Sequence, residues 1–214
     1  MSSAVDSGNA GENPMNVLVA CERSGRVRDA FRAKGHFAMS CDLLPTETPG
    51  PHYQGPVEDL LHGVLDVKKW DLLIGFPPCT HICVSGAKHF AKKRGKDGLQ
   101  EQALAFFRLL MDAPITRICI ENPVGIASTR ICKPTQIIQP WQFGDPYQKT
   151  TCLWLKWLPP LHPTNIVDKG EFYVSPSGKR LPRWYSNYGK GCGNQRSTTF
   201  PGIAAAMADQ WGRF

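Results

Sequence analysis

Cys79 follows two prolines, Pro77 and Pro78, where the apolar run Trp70–Gly75 (WDLLIG) ends. Proline fixes its own φ and holds the preceding residue extended, so a thiol placed there is presented rigidly instead of being packed inside a strand. Such positioning suits a nucleophile, although a cysteine taken alone is as well read as a small core hydrophobe. A second reactive set, Glu121-Asn122-Pro123, follows the apolar run Arg117–Ile120 (RICI). A carboxyl at the end of a neighbouring strand can reach the substrate of the thiol. Two further sets complete the group. Glu22, Ser24 and Gly25 follow Asn16–Ala20 (NVLVA), and Asp42 follows the run His36–Cys41. A turn leading into a helix can offer backbone N–H groups to a cofactor carboxylate or phosphate, and an acid 17 residues beyond Gly25 can bind ribose hydroxyls. Read without that chemistry, Gly25 is a turn residue and Asp42 a cap.

The elements that position these residues follow from hydrophobic periodicity. The runs NVLVA, His36–Cys41, WDLLIG and RICI are short and apolar throughout, as strands buried on both faces are. Val27, Ala30 and Phe31 share one helical face after Gly25, and Leu99–Met111 places Leu99, Ala103, Phe106, Phe107 and Leu110 at helical spacing. Alternating strands and helices predict a doubly wound, mostly parallel α/β sheet. Further strands are expected at Thr135–Gln139 and Thr151–Leu155, with a last helix over Ile203–Trp211. In such a sheet ligands bind beyond the carboxyl ends of the strands, so the four sets converge on one rim.

Residues 1–14 are small, polar and aperiodic and read as a disordered tail ahead of one domain, 15–214. Residues 157–196, rich in Pro, Gly, Lys, Tyr and Trp, read as a small inserted lobe without sustained period. The 214 residues suffice for one full-sized core. With 25 Lys and Arg against 18 Asp and Glu, the net charge of +7 makes a polyanionic partner plausible. No run of eighteen apolar residues and no signal-peptide pattern occurs, so a cytoplasmic protein is expected. Eight cysteines without a CxxC pair predict neither a zinc cluster nor a disulfide framework. No heptad or long apolar helix face asks for a partner subunit, and a monomer is expected.

The order of these motifs resembles that of the DNA (cytosine-5) methyltransferases over most of the chain. Gly75-Phe76-Pro77-Pro78-Cys79 resembles the nucleophile motif GFPC, and Glu121-Asn122-Pro123 resembles ENV. VLVACERSGRVRDAF is similar to the cofactor motif at the first strand, and Asp42 stands where the ribose-binding acid would. Phe143-Gly144-Asp145-Pro146-Tyr147-Gln148-Lys149 resembles the FGxPQxR segment, and FPGIAAAMADQWG the final helix closing the cofactor pocket. The resemblance implies a Rossmann-like fold, S-adenosylmethionine as cofactor, DNA as substrate and no metal. It makes Cys79 the nucleophile and Glu121 the group that stabilises the activated ring, with Pro78, Asn122 and Lys149 beside them. Cofactor binding then falls to Cys21, Glu22, Ser24 and Gly25, to Asp42 and Leu43, and to Asp59 and Pro77.

The chemistry binds these residue types together, because C5 of cytosine is a poor nucleophile until a thiolate adds at C6. The base must also leave the stack, which asks for basic contacts to the backbone. Lys88, Lys92, Lys93, Arg94 and Lys96 put five positive charges into nine residues after Cys79. Arg183, Trp184, Lys190 and Arg196, interleaved with Tyr185 and Tyr188, form a second basic and aromatic candidate. As solvated charge runs the same residues would serve only solubility.

The sequence also departs from the family. Only Gly25 remains of the glycine-rich turn, and Pro56 stands where an acid contacting adenine is expected, leaving Glu58 or Asp59 to substitute. Thr150, Thr151 and Cys152 replace the arginines expected after Lys149. The small lobe implies short or loose target recognition, as in compact enzymes of the bacteriophage type. Three other classes stay open: an exocyclic-amine DNA methyltransferase, whose Asp-Pro-Pro-aromatic motif shares the two prolines, a catalytically decayed DNA-binding methyltransferase fold, and modification of a free nucleotide, which the small lobe allows and the basic loop argues against.

Overall fold

The computed structural model describes residues 13–63, 69–84, 98–176, 178–183 and 198–213. Strands β1 (Asn16–Ala20), β2 (Phe37–Asp42), β3 (His52–Gln54), β4 (Leu72–Gly75), β5 (Arg117–Pro123), β6 (Gln136–Ile138) and β7 (Thr151–Lys156) form one sheet. Its order is β3-β2-β1-β4-β5-β7-β6. β3, β2, β1, β4 and β5 run parallel, and β7 lies antiparallel between β5 and β6. This is the doubly wound, mostly parallel α/β fold that the alternating elements predict.

The continuous apolar runs work because each strand is covered on both faces. Val17, Val19, Leu72, Ile74 and Leu153 point into one core, against α1 (Arg26–Ala33) and the last helix, α5 (Pro201–Trp211). Leu18, Ala20, Leu73, Ile118 and Ile120 point into the other, against α2 (Val57–Leu61), α3 (Leu99–Met111) and the short α4 (Ala127–Arg130). The period of two that the runs hide in composition thus reappears as two faces. Phe107 of α3 meets Trp154 of β7 edge to face at 5.0 Å, closing the second core over the antiparallel strand.

Three differences from the sequence reading have clear causes. β3 and α2 go unannounced because each is very short, with too few residues to display a period. Glu121-Asn122-Pro123 lies within β5, not beyond it, because β7 pairs as far as Pro123, opposite Thr151. The lobe is more regular than its composition suggests: β8 (Phe172–Val174) and β9 (Arg180–Pro182) form a separate antiparallel hairpin. Its entry is anchored to the body, with Leu158 and Leu161 buried in the first core and His162 exchanging backbone bonds with the Gln210 side chain at 2.8 Å. No helix among the described residues is long and apolar enough to cross a membrane.

Candidate functional site

The parallel strands deliver their carboxyl ends to one rim. At the end of β4, Phe76 N–H donates to the Ala20 carbonyl at 3.0 Å, so the chain stays extended past Gly75. Pro77 is then buried and Pro78 exposed. At Cys79 the chain turns: its carbonyl accepts the amides of Ile82 at 3.0 Å and Cys83 at 2.9 Å. Cys79 thereby opens a helical turn, partly exposed, with Cys83 one turn below it.

Two contacts tie this turn to the end of β5. Asn122, itself buried, donates from Nδ2 to the Pro77 carbonyl at 2.8 Å. Beyond it, residues 82–84 pair with 124–126: Ile126 N–H donates to Ile82 O at 2.8 Å and Val84 N–H to Val124 O at 3.0 Å. Gly125 permits this approach, since a Cβ there would lie 2.3 Å from the Ile82 carbonyl oxygen. Cys79 and Glu121 are thus brought together, as the sequence predicts, and closely enough for the Glu121 charge to act on the thiol.

The electrostatics of the pair are one-sided. A hydrogen bond with the Cys83 thiol, burial and the Glu121 charge all push the Cys79 thiol far above its ordinary range. Burial also raises the Glu121 carboxyl, and the Lys149 ammonium opposes that shift. Lys149, on the segment before β7, therefore acts on Glu121. Its Nζ lies 5.9 Å from the Phe200 ring, which Tyr147 meets at 5.4 Å between centroids. Asp145 accepts the Gly202 amide at 2.9 Å at the start of α5, fastening the FGDPYQK segment to the last helix. From α1, Arg26 reaches the Thr199 carbonyl at 2.9 Å.

At the end of β1 the backbone is strained. Cys21 has φ of 59°, a left-handed conformation that costs a residue other than glycine roughly 1–2 kcal/mol. The bend sends Glu22 beneath α1, where its carboxylate accepts the amides of Val27 at 2.8 Å and Arg28 at 3.3 Å and the Ser24 hydroxyl at 3.1 Å. The first helix therefore does not offer these amides to a ligand, as the turn suggested; its own chain supplies the anion. Burial pushes the Glu22 carboxyl above its ordinary value, against those three donors and the Arg28 charge. Gly25, at φ 74°, provides the left-handed residue before α1.

At the end of β2, Asp42 Oδ1 accepts the Leu44 amide at 2.9 Å, and Leu43 and Leu44 stand 71% and 51% exposed beside it. A carboxylate next to projecting apolar side chains fits a ribose diol and a purine face, whereas Glu22 is buried and committed to α1. The donor set is thus compatible with S-adenosylmethionine. Asp59 is engaged by Tyr53, whose hydroxyl donates to Oδ2 at 2.6 Å, and Pro56 is the residue that starts α2.

The remaining expected residues lie elsewhere. Arg183 sits at the end of the β8–β9 hairpin, paired with Glu171 at 3.4 Å. Lys88, Lys92, Lys93, Arg94, Lys96, Trp184, Lys190 and Arg196 lie outside the described residues, as does Cys192. Of the other thiols, Cys41, Cys83, Cys119 and Cys152 are buried, whereas Cys132 is exposed. Among the described residues no three His, Cys, Asp or Glu side chains gather as a metal site requires. The sequence reading missed Cys83, Gly125 and Arg28. A four-residue spacing from Cys79 marks Cys83 only once the turn is known to be helical.

No protein-family model matches the chain, and no curated protein matches it. Among solved structures, one similar chain is an E. coli protein described as a candidate DNA modification methyltransferase encoded within a prophage. It is 15% identical with a TM-score of 0.43, over 75% of this chain and 58% of that one. The chain thus spans less than two thirds of that structure.

Proposed function

We propose that this protein is an S-adenosylmethionine-dependent DNA (cytosine-5) methyltransferase. The observation that carries the reading is the convergence of Cys79 and Glu121 at the ends of β4 and β5, held by Asn122 and the 82–84 to 124–126 pairing, with Lys149, on the segment before β7, acting on Glu121. The bound cofactor supplies an electrophilic methyl group. Glu121, whose carboxyl burial keeps biased towards its protonated form, donates to N3 of an extruded cytosine and so drains charge from the ring. That makes C6 electrophilic, and the Cys79 sulfur adds there as its proton passes to solvent water. C5 then carries the electron pair that takes the methyl group, and transfer of the C5 proton to water restores the C5–C6 double bond, breaks the bond from C6 to the Cys79 sulfur and returns the N3 proton to Glu121.

The resting thiol is held protonated, first by its hydrogen bond with Cys83 and then by burial, so it becomes a nucleophile only as the substrate docks and its proton is lost. The same observation favours the second reading, transfer to an exocyclic amine, which needs no thiolate. Asp42, Leu43 and the β1 turn serve the nucleoside end of the cofactor in either case. The two basic segments, around Lys88–Lys96 and Arg183–Arg196, would contact the DNA backbone in a sequence-independent way.

The test is incubation with methyl-labelled S-adenosylmethionine and mixed-sequence DNA, followed by digestion and identification of the labelled nucleoside by mass. Label in 5-methylcytosine that disappears in a folded Cys79→Ala variant supports the proposal. Label in N4-methylcytosine or N6-methyladenine, retained in Cys79→Ser, transfers the argument to the second reading. No label and no cofactor binding would leave a DNA-binding relic of the fold.

A further inference from the structure

Arg28 is a buried charge that the chemistry above does not use. Its side chain is entirely shielded from solvent, which is expensive for a guanidinium unless every donor is satisfied. Here the donors are satisfied. Nε donates to Asp29 Oδ1 at 2.7 Å, and Nη1 donates to the hydroxyls of Ser40 and Thr46, each at 3.2 Å. Nη2 reaches the Thr48 hydroxyl at 2.9 Å and the carbonyls of Thr48 and Pro49 at 3.2 and 3.1 Å. Most of these partners belong to one segment, residues 43–51, which connects β2 to β3.

The segment is a connection without helix or strand of its own, and its other ties lead to the first turn. Glu47 N–H donates to the Arg23 carbonyl at 2.7 Å and the Thr48 hydroxyl to the Ser24 carbonyl at 3.0 Å. The room for the guanidinium is made by two glycines: a Cβ at Gly25 would lie 2.4 Å from Nη2, and one at Gly50 would lie 2.6 Å from the guanidinium carbon. Ser40 continues the network to His52, whose Nδ1 lies 2.9 Å from the Ser40 hydroxyl and whose Nε2 lies 3.0 Å from the Leu44 carbonyl. The Leu44 carbonyl can only accept, so Nε2 carries a proton. The guanidinium is therefore linked through Ser40 and His52 to the stretch Asp42-Leu43-Leu44.

We infer that Arg28 is a positioning residue for the nucleoside end of the cofactor site, acting by clamping the 43–51 connection onto the β1–α1 turn so that Asp42, Leu43 and Leu44 are held at the rim in the geometry that receives a ribose and purine. The inference rests on the reading that S-adenosylmethionine binds at this rim. A guanidinium is suited to the task because its planar fork addresses several acceptors at fixed angles, which an ammonium cannot reproduce. Preorganising the rim removes an ordering cost that binding would otherwise bear.

The experiment compares wild type, Arg28→Lys and Thr48→Val as full-length proteins, by calorimetric titration with S-adenosylmethionine and amide hydrogen exchange over residues 42–51. Arg28→Lys is expected to raise Kd at least tenfold and Thr48→Val at least threefold, with faster exchange at the Leu44 and Glu47 amides. In turnover assays the same change appears as a higher KM for the cofactor with kcat reduced less than threefold. An Arg28→Lys protein that melts earlier but binds cofactor with the wild-type Kd overturns the inference, since that is the result of a structural role alone. Should Arg28→Lys fail to fold, Thr48→Val decides on its own threshold. Wild-type protein that binds no S-adenosylmethionine overturns the proposed function, and this inference with it; intact wild-type binding insensitive to both substitutions overturns the inference alone.

Discussion

Gly125→Ala is the substitution whose effect follows most directly from the geometry. The added Cβ would stand 2.3 Å from the Ile82 carbonyl oxygen and 3.0 Å from the Cys83 Cα. A carbon rests against a carbonyl oxygen at roughly 3.3 Å, so the paired segments must part by about 1 Å. Both neighbours are backbone, and no side chain can rotate aside. The displaced segment is the one that begins at Cys79, while Glu121 stays anchored in β5 opposite Leu153. A misplacement of about 1 Å between reacting groups costs on the order of 100-fold in rate. Overpacking at such a contact costs about 1–3 kcal/mol of stability. Under the proposed function, the assay is formation of labelled 5-methylcytosine at saturating cofactor and DNA, read beside denaturant unfolding and cofactor titration. The expected outcome is a kcat reduced about 100-fold, with S-adenosylmethionine affinity retained, because Asp42 and the β1 turn are positioned by other contacts. Turnover within threefold of wild type in Gly125→Ala would refute the reasoning, since the pairing would then have no part in placing the thiol.

Glu121→Gln tests the buried carboxyl through pH. Its pKa is raised in the folded state, so ionisation is penalised by folding: stability is fully present below the ordinary value near 4.5 and is lost as pH rises through the folded pKa. Glu121→Gln should therefore melt at a higher temperature than wild type at pH 7 to 8, with the difference vanishing below about pH 4.5; a difference constant with pH would contradict the burial. Lys149→Met should push the Glu121 carboxyl higher, so that the loss still begins near the ordinary value of 4.5 but continues to higher pH and is larger, readable in the same melting series. Asn122→Ala leaves the Pro77 carbonyl without its buried donor and should cost about 1–3 kcal/mol in denaturant unfolding. Cys83→Ala removes the hydrogen bond that most strongly holds the Cys79 proton, so iodoacetamide should alkylate Cys79 faster at pH 8, as followed by peptide mass.

Much of this protein is written locally. Asn16–Ala20, Leu99–Met111 and Thr151–Lys156 are elements whose own apolar residues dictate strand or helix, because a segment buried on two faces, or on one helical stripe, needs only its own composition to declare it. The alternation of such segments yields the parallel sheet, and the rule that ligands gather at its carboxyl edge already places Cys79, Glu121 and Asp42 together. What the sequence could not state is which partner each polar group takes. Glu22 reads as a ligand residue and spends its carboxylate on the helix that follows it; Asp59 reads as a substitute for a missing acid and binds Tyr53. Gly125 and Arg28 look ordinary in the chain, and their roles depend on segments 43 and about 20 residues away that only the folded sheet brings into contact. Burial and charge decide the thiol in the same way: two prolines present Cys79, but its protonation is set by Cys83 and Glu121 across the rim. Sequence determines the elements because their burial is periodic along the chain; tertiary structure decides the site because electrostatics and close approach act through space.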